Sequence, residues 1–142
     1  MTERNTKQKQ IVLEAVKARN DHPTADEIYS DVHEIDSHIS RATVYRNLHQ
    51  LAKNGEISAI DLVPDAGRYD RRTDRHHHML CEVCGSVFDA PVDYSDSQDR
   101  QLEKLTGFRV RRHEVIFRGV CEKCLAEMMT RRGENSWPYT DA

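Results

Sequence analysis

Two Cys-x-x-Cys pairs, Cys81/Cys84 and Cys121/Cys124, hold all four cysteines of this 142-residue chain and are separated by a spacer of thirty-six residues. No other feature restricts the fold as much. Two residues between ligands let one turn present both sulfurs, and two such turns satisfy tetrahedral Zn²⁺ with four thiolates. The pairs must then meet in space, which makes the stretch between them a loop stapled by metal. A redox dithiol in one pair is the competing reading and predicts reactive thiols of lowered pKa; the paired spacing favours zinc.

The length allows one good core or two small ones held together by metal. No apolar run approaches the roughly 20 residues that span a membrane. The first residues are polar, so the expectation is a cytoplasmic protein without a membrane partner, in a compartment that keeps thiols reduced. Lys and Arg number 21 against 24 Asp and Glu, a net charge of −3. That balance alone argues against nucleic acid. Its distribution does not: Arg4, Lys7 and Lys9 sit together without an acid, as do Arg41, Arg46 and Lys53.

From Lys7 to Arg19, Ile11, Val12, Ala15 and Val16 fall on one helical face. After a break at Asn20-Asp21-His22-Pro23, Thr24 stands three residues before Glu27 as a capping box. Ala25, Ile28, Tyr29 and Val32 then repeat at helical spacing. Ser40 is an N-cap for a third helix that buries Val44, Leu48 and Leu51 and stops at Asn54-Gly55. Glu56 to Val63 reads as a strand, Pro64-Asp65-Ala66-Gly67 as a turn, and Arg68 to Arg71 as the return. Three helices and a hairpin make a winged helix-turn-helix domain over residues 1–67. In such a domain the third helix enters the major groove N-terminus first, which nominates Ser40, Arg41, Thr43, Tyr45 and Arg46 for DNA. A solvated helix on a protein-interaction module is the blander alternative.

Residues 68–75 are charged, lack Gly and Pro, and read as a hinge. Residues 76–132 read as a small α/β domain, so the fold class is α+β with a four-cysteine zinc staple in its second half. Strands are expected around Met79-Leu80, Val87-Phe88, Phe108 to Val110 and Val115 to Phe117. A helix from about Ser95 to Thr106 ends at Gly107, another runs from near Cys121 to about Arg131, and residues 133–142 read as a mobile tail. A domain this small needs the zinc, whose binding contributes on the order of 10 kcal/mol.

A second metal site is suggested by histidines. On an extended chain His76 and His78 point to one side and His77 to the other. With Asp70 upstream and Asp89 downstream they offer nitrogen and carboxylate donors that suit Fe²⁺ or Mn²⁺ as well as Zn²⁺. A solvated histidine-rich loop has the same composition, and spacing alone leaves the two readings level. His22, just before Pro23, reads by position as a turn residue.

Several phrases in this order resemble the ferric uptake regulator family of bacterial metal-dependent repressors. They are His22-Pro23-Thr24-Ala25-Asp26-Glu27-Ile28-Tyr29, Ala42-Thr43-Val44-Tyr45-Arg46-Asn47-Leu48, Arg68-Tyr69-Asp70, the histidine run leading to Cys81, Thr106-Gly107-Phe108, and His113 eight residues before Cys121. The similarity covers nearly the whole chain. It implies that the second domain dimerises and that a regulatory Fe²⁺ or Mn²⁺ is held between the domains by His22, Asp70, His76, His78 and Asp89. Asp70 and Asp89 agree with the peroxide-responsive branch; iron-responsive members usually have glutamate at the position of Asp89. In that branch peroxide oxidises a ligand histidine, here His22 or His76, and repression is lost. The implied partner is double-stranded DNA with an inverted-repeat operator, whose half-sites lie about one helical turn, roughly 34 Å, apart. Peroxide is then a signal, with no other small-molecule substrate and no enzymatic turnover.

Two departures from the family stand out. Members usually have an additional helix before the equivalent of Lys7, where this chain has six residues. Some also carry a third metal site, to which His77, Asp96 and His113 could contribute, although Arg75 occupies a position that is often a ligand. The alternatives are an iron- or zinc-responsive regulator on the same fold and, more distantly, a metallohydrolase. Five protein ligands would leave a hydrolase little room for substrate.

Overall fold

The structure is a computed structural model that describes residues 3–62 and 66–132, with side chains for 6–62 and 66–129. The chain divides into two units, Met1–Asp74 and Arg75–Ala142, each described by itself. The expected tail at 133–142 and the tip of the expected turn, residues 63–65, lie outside the described residues.

In the first unit, α1 (Glu3–Lys17), α2 (Ala25–Ile35) and α3 (Arg41–Lys53) precede β1 (Ser58–Ile60) and β2 (Arg68–Asp70). α1 starts four residues earlier than the apolar pattern indicates, because an apolar period marks only the turns that carry apolar residues and Glu3 to Thr6 are polar. α2 starts at the expected capping box: Glu27 N donates to Thr24 Oγ1 at 3.2 Å, and Thr24 N donates back to Glu27 Oε1 at 3.2 Å. Ser40 caps α3 by accepting from Thr43 N at 3.1 Å. The helices bury Val12, Val16, Ile28, Val32, Val44, Leu48 and Leu51 in one core with Ile39 and Ile57. β1 and β2 pair antiparallel, Ala59 opposite Tyr69. Residues 68–70 therefore belong to a hairpin, although they fall in the stretch expected as a hinge. β1 is shorter than the expected strand from Glu56 to Val63.

The second unit contains β3 (His77–Cys81), β4 (Val87–Ala90), α4 (Ser97–Thr106), β5 (Ile116–Gly119) and α5 (Glu122–Arg132). β3 is central in the order β4-β3-β5, antiparallel to β4 and parallel to β5. α4 ends where Gly107 takes φ 77°, a left-handed turn that glycine adopts without strain.

One expected strand does not form. Residues 107–115 join no ladder, and Phe108, like Leu105, is 74% exposed. The segment takes neither the outer edge of β4 nor that of β5, and a stretch without a ladder partner leaves its backbone to water or side chains. Here Phe108 N donates to Thr106 Oγ1 at 3.2 Å and Val110 N to Glu103 Oε2 at 3.0 Å.

Candidate metal centres and nucleic-acid interface

The parallel pairing of β3 with β5 puts Cys81 opposite Gly119, two residues before Cys121. Both Cys-x-x-Cys pairs thus reach the same end of the sheet. All four sulfurs lie within 4.8 Å of one another, with Cys84 Sγ 3.9 Å from Cys121 Sγ. None is in a disulfide. Burial opposes ionisation of Cys81, but N–H groups of Cys84, Cys121 and Val83 point at its sulfur and bring the thiol down to about 6. The Ser86 hydroxyl and backbone also lower Cys84. Cys124 is pushed up to about 12 by burial and by the neighbouring sulfurs. Packed thiols cannot all ionise unaided, and a dication at their centre removes that conflict. The site is of the type that zinc occupies.

The histidine run divides as strand alternation requires. The His76 and His78 rings lie side by side, centroids 4.4 Å apart. Their Nε2 atoms both face Asp89 Oδ1, at 3.1 and 3.6 Å. His78 stands opposite Asp89 in the β3–β4 ladder. Both histidine side chains are under 10% exposed, at 8% and 4%. In the first unit, His22 and Asp70 form a second pair, Nε2 to Oδ2 at 3.3 Å, each side chain 6% exposed. His22 has φ 54° and is the one described non-glycine residue with positive φ. Its carbonyl accepts from Arg68, and the carbonyl of Pro23 accepts from Tyr69 N. The wing strand thereby fixes the turn that carries the imidazole.

His77 faces the other side of the sheet, near Tyr94, His113 and Phe117. Burial first, then the neighbouring imidazoles, pushes its pKa down. His113 Nδ1 meets Asp99 Oδ1 at 2.7 Å, and its ring stacks on Tyr94 at 4.5 Å. Asp96 does not join them; its carboxylate takes Arg100 at 2.7 Å. Arg75 lies 5.9 Å from the Tyr94 ring centroid. Sequence reasoning missed Asp99 and Tyr94, and only helical spacing from Asp96 could have nominated Asp99.

The five residues expected to meet DNA share the N-terminal half of α3. Ser40 Oγ donates to Thr43 Oγ1 at 2.9 Å, and Arg46 reaches the same oxygen at 3.4 Å. Arg41 and Tyr45 both bond Asp26 on α2. The side chains are largely exposed, while Val44, Asn47, Leu48 and Leu51 anchor the opposite face. Among the described residues no helix is long and apolar enough to cross a membrane.

A winged helix followed by a sheet with a four-thiol site and a histidine–carboxylate cluster defines a class of metal-responsive DNA-binding repressor. The ferric uptake regulator family profile matches residues 1–118, and the chain belongs to that family. Within it, the chain is similar to peroxide-responsive repressors. It is 32% identical over 124 residues to the peroxide-responsive repressor PerR of Staphylococcus epidermidis, covering 87% of this chain and 83% of that protein. The Campylobacter jejuni peroxide stress regulator is 31% identical with a TM-score of 0.68, over 85% of this chain and 91% of that one. The Helicobacter pylori ferric uptake regulator, at 24% identity and TM-score 0.66, shares the fold over 84% of this chain and 80% of its own. Repressors of this family bind DNA as dimers.

Proposed function

We propose that the protein is a peroxide-sensing transcriptional repressor that binds an inverted-repeat operator as a homodimer. Its regulatory Fe²⁺ or Mn²⁺ is held by His22, Asp70, His76, His78 and Asp89, and the four cysteines hold a structural Zn²⁺. The observation that carries this reading is the convergence of the His76 and His78 Nε2 atoms on one oxygen of Asp89. Imidazole and carboxylate donors without thiolate fit Fe²⁺ and Mn²⁺. Similarity to repressors named for their peroxide response supports the signal.

Fe²⁺ held there would activate peroxide by lending electrons that the ring then returns, chemistry that Mn²⁺ would not supply. The chain supplies the imidazoles: His22 or His76 gains one oxygen atom at a ring C–H, and the other peroxide oxygen leaves as water. An oxidised ring is a poorer donor, so the site loses a ligand and the repressor loses its operator. His77, His113 and the carboxylates near them form no part of this site, and Ser40, Arg41, Thr43, Tyr45 and Arg46 carry the DNA contacts.

The test loads the protein with Fe²⁺ or Mn²⁺, selects its operator from random duplexes in the Mn²⁺ form, and follows binding and intact mass across brief peroxide treatment. The expected result is release by the iron form alone with the mass of one oxygen atom gained, mapped to His22 or His76. If both forms hold DNA and neither gains mass, the protein is an iron- or zinc-responsive regulator. If no duplex is preferred over random DNA, the repressor reading fails.

A further inference from the structure

In the first unit, two of the groups expected to meet DNA are held by the protein itself. Asp26, in the first turn of α2, takes both the Arg41 guanidinium and the Tyr45 hydroxyl on a single oxygen, Oδ1. The Arg41 guanidinium also lies over the Tyr29 ring, 4.6 Å from its centroid. Ser40 and Arg46 both bond Thr43, and among the described residues these contacts involve no carboxylate. Asp26 therefore acts on only part of the helix.

The location of this contact excludes a mainly structural role. The Asp26 and Arg41 side chains are 66% and 57% exposed, and Tyr45 is 40% exposed. Ion pairs this open to water add little stability. A guanidinium and a hydroxyl from adjacent turns of one helix are, however, the donors that a DNA phosphate recruits. The Asp26 carboxylate receives them as an anionic phosphate oxygen would. The same hydrogen bond raises the Tyr45 pKa above the usual phenol range, so the hydroxyl keeps its proton and donates.

We propose that Asp26 is a built-in competitor of the DNA backbone, withholding Arg41 and Tyr45 from phosphate until base contacts offset the loss of their internal partner. The proposal rests on the reading of α3 as the DNA-facing helix. Complexes made of phosphate contacts alone lack that offset, so Asp26 keeps the protein off DNA of the wrong sequence. The residue is then a determinant of selectivity although it reads no base.

The experiment uses the full chain with Zn²⁺ and Mn²⁺ and a random-sequence duplex of about three helical turns, with affinity measured across a salt series. Asp26→Asn keeps the side-chain shape and removes the charge. The expected result is several-fold tighter binding at low salt and a log K against log salt slope steeper by about 0.9, the value of one added phosphate contact. In an R41Q/Y45F background the same substitution should give no gain. Unchanged or weaker binding by D26N overturns the proposal, as does an equal gain in the R41Q/Y45F background, which would reflect a general charge effect. Weakened binding by R41Q/Y45F itself preserves the DNA reading of α3 whatever D26N does. If neither variant changes binding, both the proposal and that reading fall.

Discussion

His78 stands opposite Asp89 across the β3–β4 ladder, with Nε2 3.6 Å from the carboxylate oxygen that also faces His76. The ladder fixes this oxygen, so one more methylene cannot be absorbed by a loop. Asp89→Glu should keep Mn²⁺-dependent operator binding and release DNA more slowly after peroxide in the Fe²⁺ form. An anisotropy time course measures this, and a rate equal to wild type would remove Asp89 as a determinant of sensing.

Removing zinc should unfold the second unit and spare the first. Among the described residues, the buried apolar side chains of the second unit are Leu80, Val87 and Ala90 with Cys81 and Cys124. The first unit buries eleven residues in one cluster. Chelation, or Cys84→Ser, forfeits much of a binding energy on the order of 10 kcal/mol. Hydrogen exchange should show lost protection at 77–81 and 116–119 with protection kept across 41–53.

His22→Asn and His22→Val should separate two roles of one residue. Both remove the imidazole, so both should abolish the Mn²⁺ dependence of operator binding. At φ 54° asparagine is tolerated, whereas a β-branched side chain meets a clash worth about 1–2 kcal/mol. The valine variant should therefore melt below the asparagine variant. Retained metal dependence in His22→Asn would show that His22 is not a ligand.

Glu27 links acid stability to the α2 cap. Partial burial raises its pKa, but hydrogen bonds from Thr24 and the charges of Arg19 and Arg68 outweigh this, leaving it below the ordinary glutamate range. A depressed folded-state pKa contributes stability above the unfolded value, lost as pH falls through the folded one. Glu27→Gln should thus cost under about 1 kcal/mol at pH 7, since the side chain is 41% exposed and screened. The difference from wild type should vanish in urea melts below the folded pKa; a constant difference from pH 7 down to pH 3 would assign it to packing.

Local features were the legible ones. The capping box at Thr24 and Glu27, the Ser40 cap and the apolar spacing of α3 act within one or two turns, so residue order states them directly. The Cys-x-x-Cys pairs were legible because metal chemistry constrains their spacing. Phe108 to Val110 has strand-like composition, yet pairing also needs a strand edge brought alongside, which composition does not state. Asp26 resembled any first-turn acid; its partners are 15 and 19 residues away. Asp96 and Asp99 are equivalent by composition, and only the direction of α4 assigns one to Arg100 and the other to His113.

The parallel union of β3 and β5 also determines how the second unit assembles. Cys121 N donates to Cys81 Sγ across a separation of 40 residues, and non-local pairing of this kind is slow because chain ends must find each other by diffusion. A metal ion captured first by one thiol pair would wait for the other, so that a long search would end in a single encounter. Zinc supply would then set how quickly newly made chains mature as well as how stable they are. A nascent chain starved of zinc would leave β3 without its neighbour for longer, with a free strand edge open to other chains.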